Sequence, residues 1–257
     1  MNDLAIFAFL LVLARVSAFI AVFPLFSRRQ VPVSVKAGMA VALTVFWYGS
    51  GIAILPPPEP GMNVTSFGPG TVALVQEILC GAVVGLITGW VLIPARIAGA
   101  YIGQELGLTM GQMMDPTGME SGSDVTRVFE TISMFLFFVL DMHHWVLLCL
   151  HYSFTMLQGA SGLMAIPTGA LVFAISQLDE YGLLIAAPVA ICLAIVNFAV
   201  LYLNKASPSL NLFTVGAPLR LICGLFCLVL FWPMIVRNIS LSFESVDRDV
   251  IGALFGN

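Results

Sequence analysis

Apolar residues run along this chain in blocks far longer than a soluble helix needs. Six of them, at residues 4–26, 33–55, 72–100, 128–157, 183–203 and 212–236, reach the length of a membrane span. A helix needs about 20 mostly apolar residues to cross roughly 30 Å of hydrocarbon. The pattern predicts an all-α, polytopic membrane protein of about six long hydrophobic helices. A shorter apolar run at 166–175 is too brief to span and predicts an interfacial or re-entrant piece.

Polar breaks separate the blocks. Residues 27–32 hold Arg28, Arg29 and Pro32, and residues 56–70 open on three prolines, which cannot continue a helix. Residues 103–127 form the longest polar stretch. Residues 159–169 are rich in small side chains around Pro167, and 204–209 carry Lys205 and Pro208. Two blocks fit a simple span badly. Residues 72–100 number 29 and would reach about 44 Å at 1.5 Å per residue, and 128–157 is similar. Ordinary tilt does not absorb that excess, and Pro94 interrupts the first of the two. These helices are expected to extend beyond the bilayer or to sit in it unconventionally.

Only Met-Asn-Asp precedes the first block, with no basic residue. The block outruns the roughly 7–15 residues of a signal-peptide core, so it reads as a retained span. Arg28, Arg29, Lys36 and Lys205 mark the first and fifth loops as cytoplasmic, while the second and fourth carry Glu59 and Asp179–Glu180. Six spans then put both termini outside.

Composition strengthens the class. Hydrophobic residues make up 60% and charged residues 9%, with a mean hydropathy of +1.02. A soluble domain carries about 25% charged residues. So little charge cannot cover a water-facing surface, and lipid or a large apolar partner must do part of that work. The net charge of -4 has no clustered sign, and 10 Lys plus Arg give no basic stripe for nucleic acid. The five cysteines, Cys80, Cys149, Cys192, Cys223 and Cys227, lie in apolar runs without a CxxC pair. Neither a disulfide framework nor a zinc site is supported. They read as small buried hydrophobes.

Glycine spacing is the strongest physical signal. Gly81, Gly85 and Gly89 recur every four residues, and Ala95, Gly99, Gly103, Gly107 and Gly111 repeat the pattern. Such positions share one helix face and let another backbone approach closely, as helices do where lipid is as apolar as they are. The neighbour is either within the chain or in another subunit. Arg15, Glu77, Arg96, Glu130, Asp141 and Arg220 fall in or near the apolar blocks. Each would cost roughly 2.5–3.5 kcal/mol at a bilayer centre, so each should face protein or water. Arg15 or Arg220 could pair with Glu77. Structural ion pairs and a transport pathway both remain open for this set.

His143, His144 and His151 sit in one block, with Asp141, His144 and His151 near one helical face. A metal site or proton relay is one reading, and hydrogen-bonded packing near Trp145 is the other. The HExxH pattern is absent, and so are GxSxG, the P-loop and GxGxxG. No catalytic, cofactor or metal residue is assigned. The third break is chemically unusual: Leu106, Leu108, Met110, Gly111, Met113, Met114, Asp115, Pro116 and Met119 place four methionines among glycines. Methionine re-packs easily to seal irregular gaps, and Asp-Pro favours a turn. A deformable plug and an ordinary surface loop are both compatible with that composition.

Several motifs together resemble the FliR family of flagellar export proteins and its injectisome counterparts in type III secretion. They are Arg15, then Phe23-Pro24-Leu25-Phe26 leading to Val31-Pro32 and Lys36, then Gly103 through Asp115-Pro116, then His143-His144-Trp145. The last and most specific holds Ala206, Pro208, Leu210, Asn211, Phe213, Gly216, Pro218 and Leu219. The resemblance covers nearly the whole length. It implies a non-enzymatic subunit of a protein-export gate in the bacterial inner membrane, at the flagellar basal body. It implies a FliP-like part over about 1–180 and a FliQ-like helical hairpin over about 181–240. FliP-like and FliQ-like subunits would complete a helical pore, with FlhB-like and FlhA-like components and unfolded protein substrates as further partners. The segment from Leu106 to Pro116 would be the plug. The methionines there depart from the bulky apolar residues of many relatives, and the polar stretch after Pro116 aligns loosely. Two rivals stand beside this reading. A secondary transporter would use the embedded charges and Pro-interrupted helices. An intramembrane metallo-enzyme would use Asp141, His143 and His144.

Overall fold

A computed structural model of the chain describes residues 2–27, 31–51, 67–108, 123–157, 168–206 and 212–255. Among the described residues every regular element is helical. In chain order these are α1 (Asn2–Val22), the single turn α2 (Pro24–Ser27), α3 (Val33–Gly49), α4 (Phe67–Gly89), a 3₁₀ turn (Trp90–Leu92) and α5 (Ile93–Glu105). They continue with α6 (Asp124–Val139), α7 (Met142–Met156), α8 (Thr168–Ala206), α9 (Leu212–Leu230) and α10 (Trp232–Phe255). The chain is a polytopic helical membrane protein.

Among the described residues, three to five spans are found rather than a confirmed six. Three helical runs, Ala5–Val22, Gly70–Glu105 and Ile175–Leu203, are long and apolar enough to cross a membrane, or up to five if each of two bent helix pairs counts as one span. Val33–Gly49, at 17 residues, falls short. The expected span 128–157 is two helices, α6 and α7, parted at Asp141, whose φ of 56° is left-handed. Aspartate is one of the few residues that visits this region. The expected span 212–236 breaks at Phe231, where the helix axis turns by 65°. Pro233, just beyond, has no N–H to continue the ladder. The described part of run 166–175 forms the first turns of the 39-residue α8, ahead of the apolar stretch Ile175–Leu203. Asp179 and Glu180, expected in a loop, are exposed residues inside that helix.

The chain divides into two compact units, one of residues 1–90, 141–174 and 247–257, the other of residues 91–140 and 175–246. In the first, α1 packs along α3 and α4, and α4 along α7. A Cβ at Gly81 would overlap the Arg15 carbonyl, one at Gly85 would lie 2.9 Å from the Phe19 carbonyl, and one at Gly89 would overlap the Pro24 ring. Contacts that advance together along both helices define a parallel pair, and the missing side chains set its closeness. Val12, Val16, Phe19, Val84 and Leu150 form the adjoining core.

In the second unit the next ladder makes an antiparallel pair. A Cβ at Gly99 would lie 2.8 Å from Thr126 Cα, while one at Gly103 would overlap the Ser123 hydroxyl. As residue number rises on α5 it falls on α6, so the two form a hairpin around residues 109–122. Ala98, Ile102, Phe129 and Phe137 are buried between or beside them. On α8 and α9, by contrast, Ile191, Ile195, Phe198, Ile222, Phe226 and Val229 are all exposed, Phe198 to 73% and Val229 to 76%. An apolar surface of this kind needs lipid or other helices against it.

Candidate functional site

Three features of the sequence-derived set can be located: a buried ion pair, the stem of the methionine-rich loop, and an acid–imidazole cluster. The first is centred on Arg15, which is 1% exposed in the middle of α1. Its Nε donates to Glu77 Oε2 at 2.5 Å and its Nη2 to Glu77 Oε1 at 2.9 Å, a two-pronged pair. Nη1 donates to the Ser153 carbonyl at 2.6 Å, and Nη2 also to the Leu157 carbonyl at 2.9 Å. The guanidinium carbon stands 4.8 Å from the Phe154 ring centre.

The local sequence makes this possible. Glu77 and Gly81 are one turn apart on α4 and share the face that meets α1. Gly81 brings the backbones together at Arg15, so the guanidinium is close enough to reach the carboxylate and pass on to α7. The last carbonyls of a helix lack partners in their own ladder. Arg15 donates to the carbonyl of Leu157, the cap of α7, and adds a second donor to the Ser153 carbonyl, which already accepts from Leu157 N–H at 3.1 Å. It therefore joins α1, α4 and α7 through four hydrogen bonds. An arginine fork is suited to this because it presents five N–H groups in a fixed plane. Of the two partners open to Glu77 in the sequence, Arg15 takes it.

The second feature is the end of α5. Leu106 N–H bonds the Ile102 carbonyl at 3.0 Å, Gly107 N–H the Gln104 carbonyl at 3.0 Å and Leu108 N–H the Gly103 carbonyl at 3.1 Å. With Gly107 at φ 78° this is a Schellman end, which a residue without Cβ adopts at no steric cost. Gly107 thus serves the turn rather than packing, since a Cβ there would meet nothing within 4 Å. Leu106 is 4% exposed and Leu108 37%. On the far side, Ser123 caps α6, accepting from Thr126 N–H at 3.2 Å, and its hydroxyl lies over Gly103. Both feet of the loop are held by backbone chemistry. Met110, Gly111, Met113, Met114, Asp115 and Pro116 lie outside the described residues.

The third feature differs from its expectation. Asp141, His143 and His144 come together with ligand atoms within 4.8 Å of one another. Asp141 is left-handed and precedes the first turn of α7, and its side chain is largely exposed. The His143 and His144 Nδ1 atoms stand 4.0 and 3.9 Å from Asp141 Oδ1. Tetrahedral coordination at 2.0–2.1 Å per bond needs ligand atoms ~3.4 Å apart, so the cluster is looser than a closed metal site. His151 is elsewhere: its Nδ1 accepts from Trp47 Nε1 at 3.4 Å. Arg96 meets Glu130 at 3.3 Å with its side chain 60% exposed, a geometry that contributes little. Arg220 is half-buried on α9, and its Nε has no hydrogen-bond partner among the described residues.

Sequence reasoning missed the carbonyls of Ser153 and Leu157, because backbone acceptors carry no residue signature. It also missed Ser123 as a cap, although serine ahead of an apolar helix is a readable start signal.

Glycine-laddered helices, a buried internally satisfied ion pair and bare apolar faces define a polytopic membrane protein built for helix association. The comparisons are more specific. Residues 6–246 match the family described as bacterial export proteins, family 1, and the chain belongs to it. It is similar to the flagellar biosynthetic protein FliR of Escherichia coli K12, 32% identical over 94% of this chain and 92% of that one. It is similar to that of Pectobacterium carotovorum, 31% identical over 86% and 82%, and of Bacillus subtilis, 28% identical over 93% of each. The chain is a membrane component of bacterial export in flagellum biogenesis.

Proposed function

We propose that the chain is a non-catalytic subunit of the protein-export gate in the bacterial inner membrane at the flagellar basal body. It stands with FliP-like and FliQ-like subunits around a pore for unfolded proteins and works with FlhB-like and FlhA-like components. In this reading residues 1–180 play the FliP-like part and 181–240 the FliQ-like hairpin, with lipid against the outer face. The loop from Leu106 to Pro116 closes the pore when no substrate is present, using Met110, Met113 and Met114 as an apolar seal.

The observation that carries the reading is the bare apolar surface of α8 and α9 in a chain that matches an export family over residues 6–246. The alternative, a secondary transporter, needs embedded charges open to a solute or proton. Arg15 and Glu77 are instead closed upon each other and upon two carbonyls, which leaves that alternative to rest on Arg220, whose Nε has no partner among the described residues. The loop assignment is tested by ion conductance in cells expressing the gate. Met113→Gly with Met114→Gly, or deletion of 110–116, should raise the leak above the native level. Conductance unchanged by both variants refutes the plug.

A further inference from the structure

The end of α5 is fastened to two other helices of its unit by contacts that the loop's composition does not require. Leu106, the cap residue of α5, is 4% exposed. A Cβ built at Gly224 on α9 would overlap the Leu106 Cδ2 methyl and lie 3.3 Å from Leu106 Cγ. It would also lie 3.1 Å from the Cδ2 of Leu193, a fully buried residue of α8. Gly224 is therefore a hole, Leu106 the knob that fills it, and Leu193 the adjoining wall. One turn beyond Leu193, Asn197 Nδ2 donates to Glu105 Oε2 at 3.4 Å. Neighbouring residues of α5 are thus tied to the same pair of helices, one by shape and one by a hydrogen bond.

We propose that Leu106 seated at Gly224 is the anchor that positions the loop stem, coupling α8 and α9 to the segment that begins at Leu108. The Schellman turn fixes Gly107 and Leu108 relative to the last turn of α5. Any shift of α9 that closes the hole at Gly224 must displace Leu106, and the start of the loop moves with it. The functional consequence rests on the gate reading, whereas the contact does not.

The test uses the full chain co-expressed with the export machinery, reading secretion of a flagellar protein and the amount of assembled complex on immunoblots. Gly224→Leu fills the hole and Leu106→Ala removes the knob. Interaction between contacting residues appears as non-additivity in a double-mutant cycle. Gly224→Leu alone should lower secretion about tenfold, and adding Leu106→Ala should bring it back to within about threefold of Leu106→Ala alone. Native secretion by Gly224→Leu, or failure of Leu106→Ala to rescue it, overturns the anchor. Should Gly224→Leu prevent assembly, Gly224→Ala gives a milder overlap, with about a two- to threefold loss relieved by the same partner change. Absence of that relief also overturns it. If loop deletion causes no leak while the rescue holds, the gate reading fails and the anchor stands. If deletion leaks while rescue is absent, the anchor alone fails.

Discussion

Replacing Arg15 by methionine should be among the most damaging single changes in the chain. Methionine matches the length of the stem but removes all four hydrogen bonds to Glu77, Ser153 and Leu157. What remains is a carboxylate 4% exposed, without its cation, between α1 and α4. Removing one partner of a buried pair typically costs about 3–5 kcal/mol, because the other charge is left uncompensated. At about 1.4 kcal/mol per tenfold, the low end already shifts the folded ratio by more than about a hundredfold. Replacing both residues by methionine removes the stranded charge. Such apolar replacements are often close to neutral, although the Leu157 carbonyl would lose the Arg15 donor while the Ser153 carbonyl keeps its bond from Leu157 N–H. The double variant should therefore recover most of the loss. The assay is the midpoint of thermal aggregation of the detergent-extracted complex, read by fluorescence-detected size exclusion, together with its yield from membranes. Arg15→Met with a native midpoint, or a double variant no better than the single one, refutes the reasoning.

Other sites give smaller and sharper contrasts. Gly81→Ala should lower the same midpoint because its Cβ would overlap the Arg15 carbonyl, whereas Gly38→Ala, with nothing within 4 Å, should raise stability by up to about 1 kcal/mol through helix propensity. Equal effects at the two positions would mean that α1 and α4 are not closely packed there. Asp141→Gly should be tolerated and Asp141→Val should cost about 1–2 kcal/mol, because only the latter resists a left-handed backbone. Ser123→Ala should cost about 1 kcal/mol by loss of the α6 cap, seen as a lower midpoint and faster proteolysis between residues 109 and 122.

Much of the helical framework was legible in the sequence because lipid imposes a length rule that a hydropathy block obeys directly. The blocks at 4–26 and 72–100 hold α1 and most of α4 and α5. The finer breaks were not legible for a physical reason. One left-handed residue at Asp141 reverses no hydropathy, so α6 and α7 read as one block. Two exposed acids, Asp179 and Glu180, interrupt the hydropathy of α8 without interrupting its backbone. The glycine ladders could be read as packing faces, since a four-residue period puts them on one side. Which helix met them could not, because one sequence holds no register: Gly81 against Arg15 and Gly103 against Ser123 emerge only with the fold. Gly107 shared the ladder's spacing and serves instead as a helix stop.

The account stands or falls most directly on what covers the exposed apolar faces of α8 and α9. An affinity-tagged chain should be extracted in mild detergent, with and without co-expressed FliP-like and FliQ-like proteins, and its mass measured by size exclusion with light scattering. The account predicts a stoichiometric complex when the partners are present, and aggregation or degradation when they are absent. A monodisperse, stable particle made of this chain alone, unchanged in mass when the partners are supplied, would contradict it.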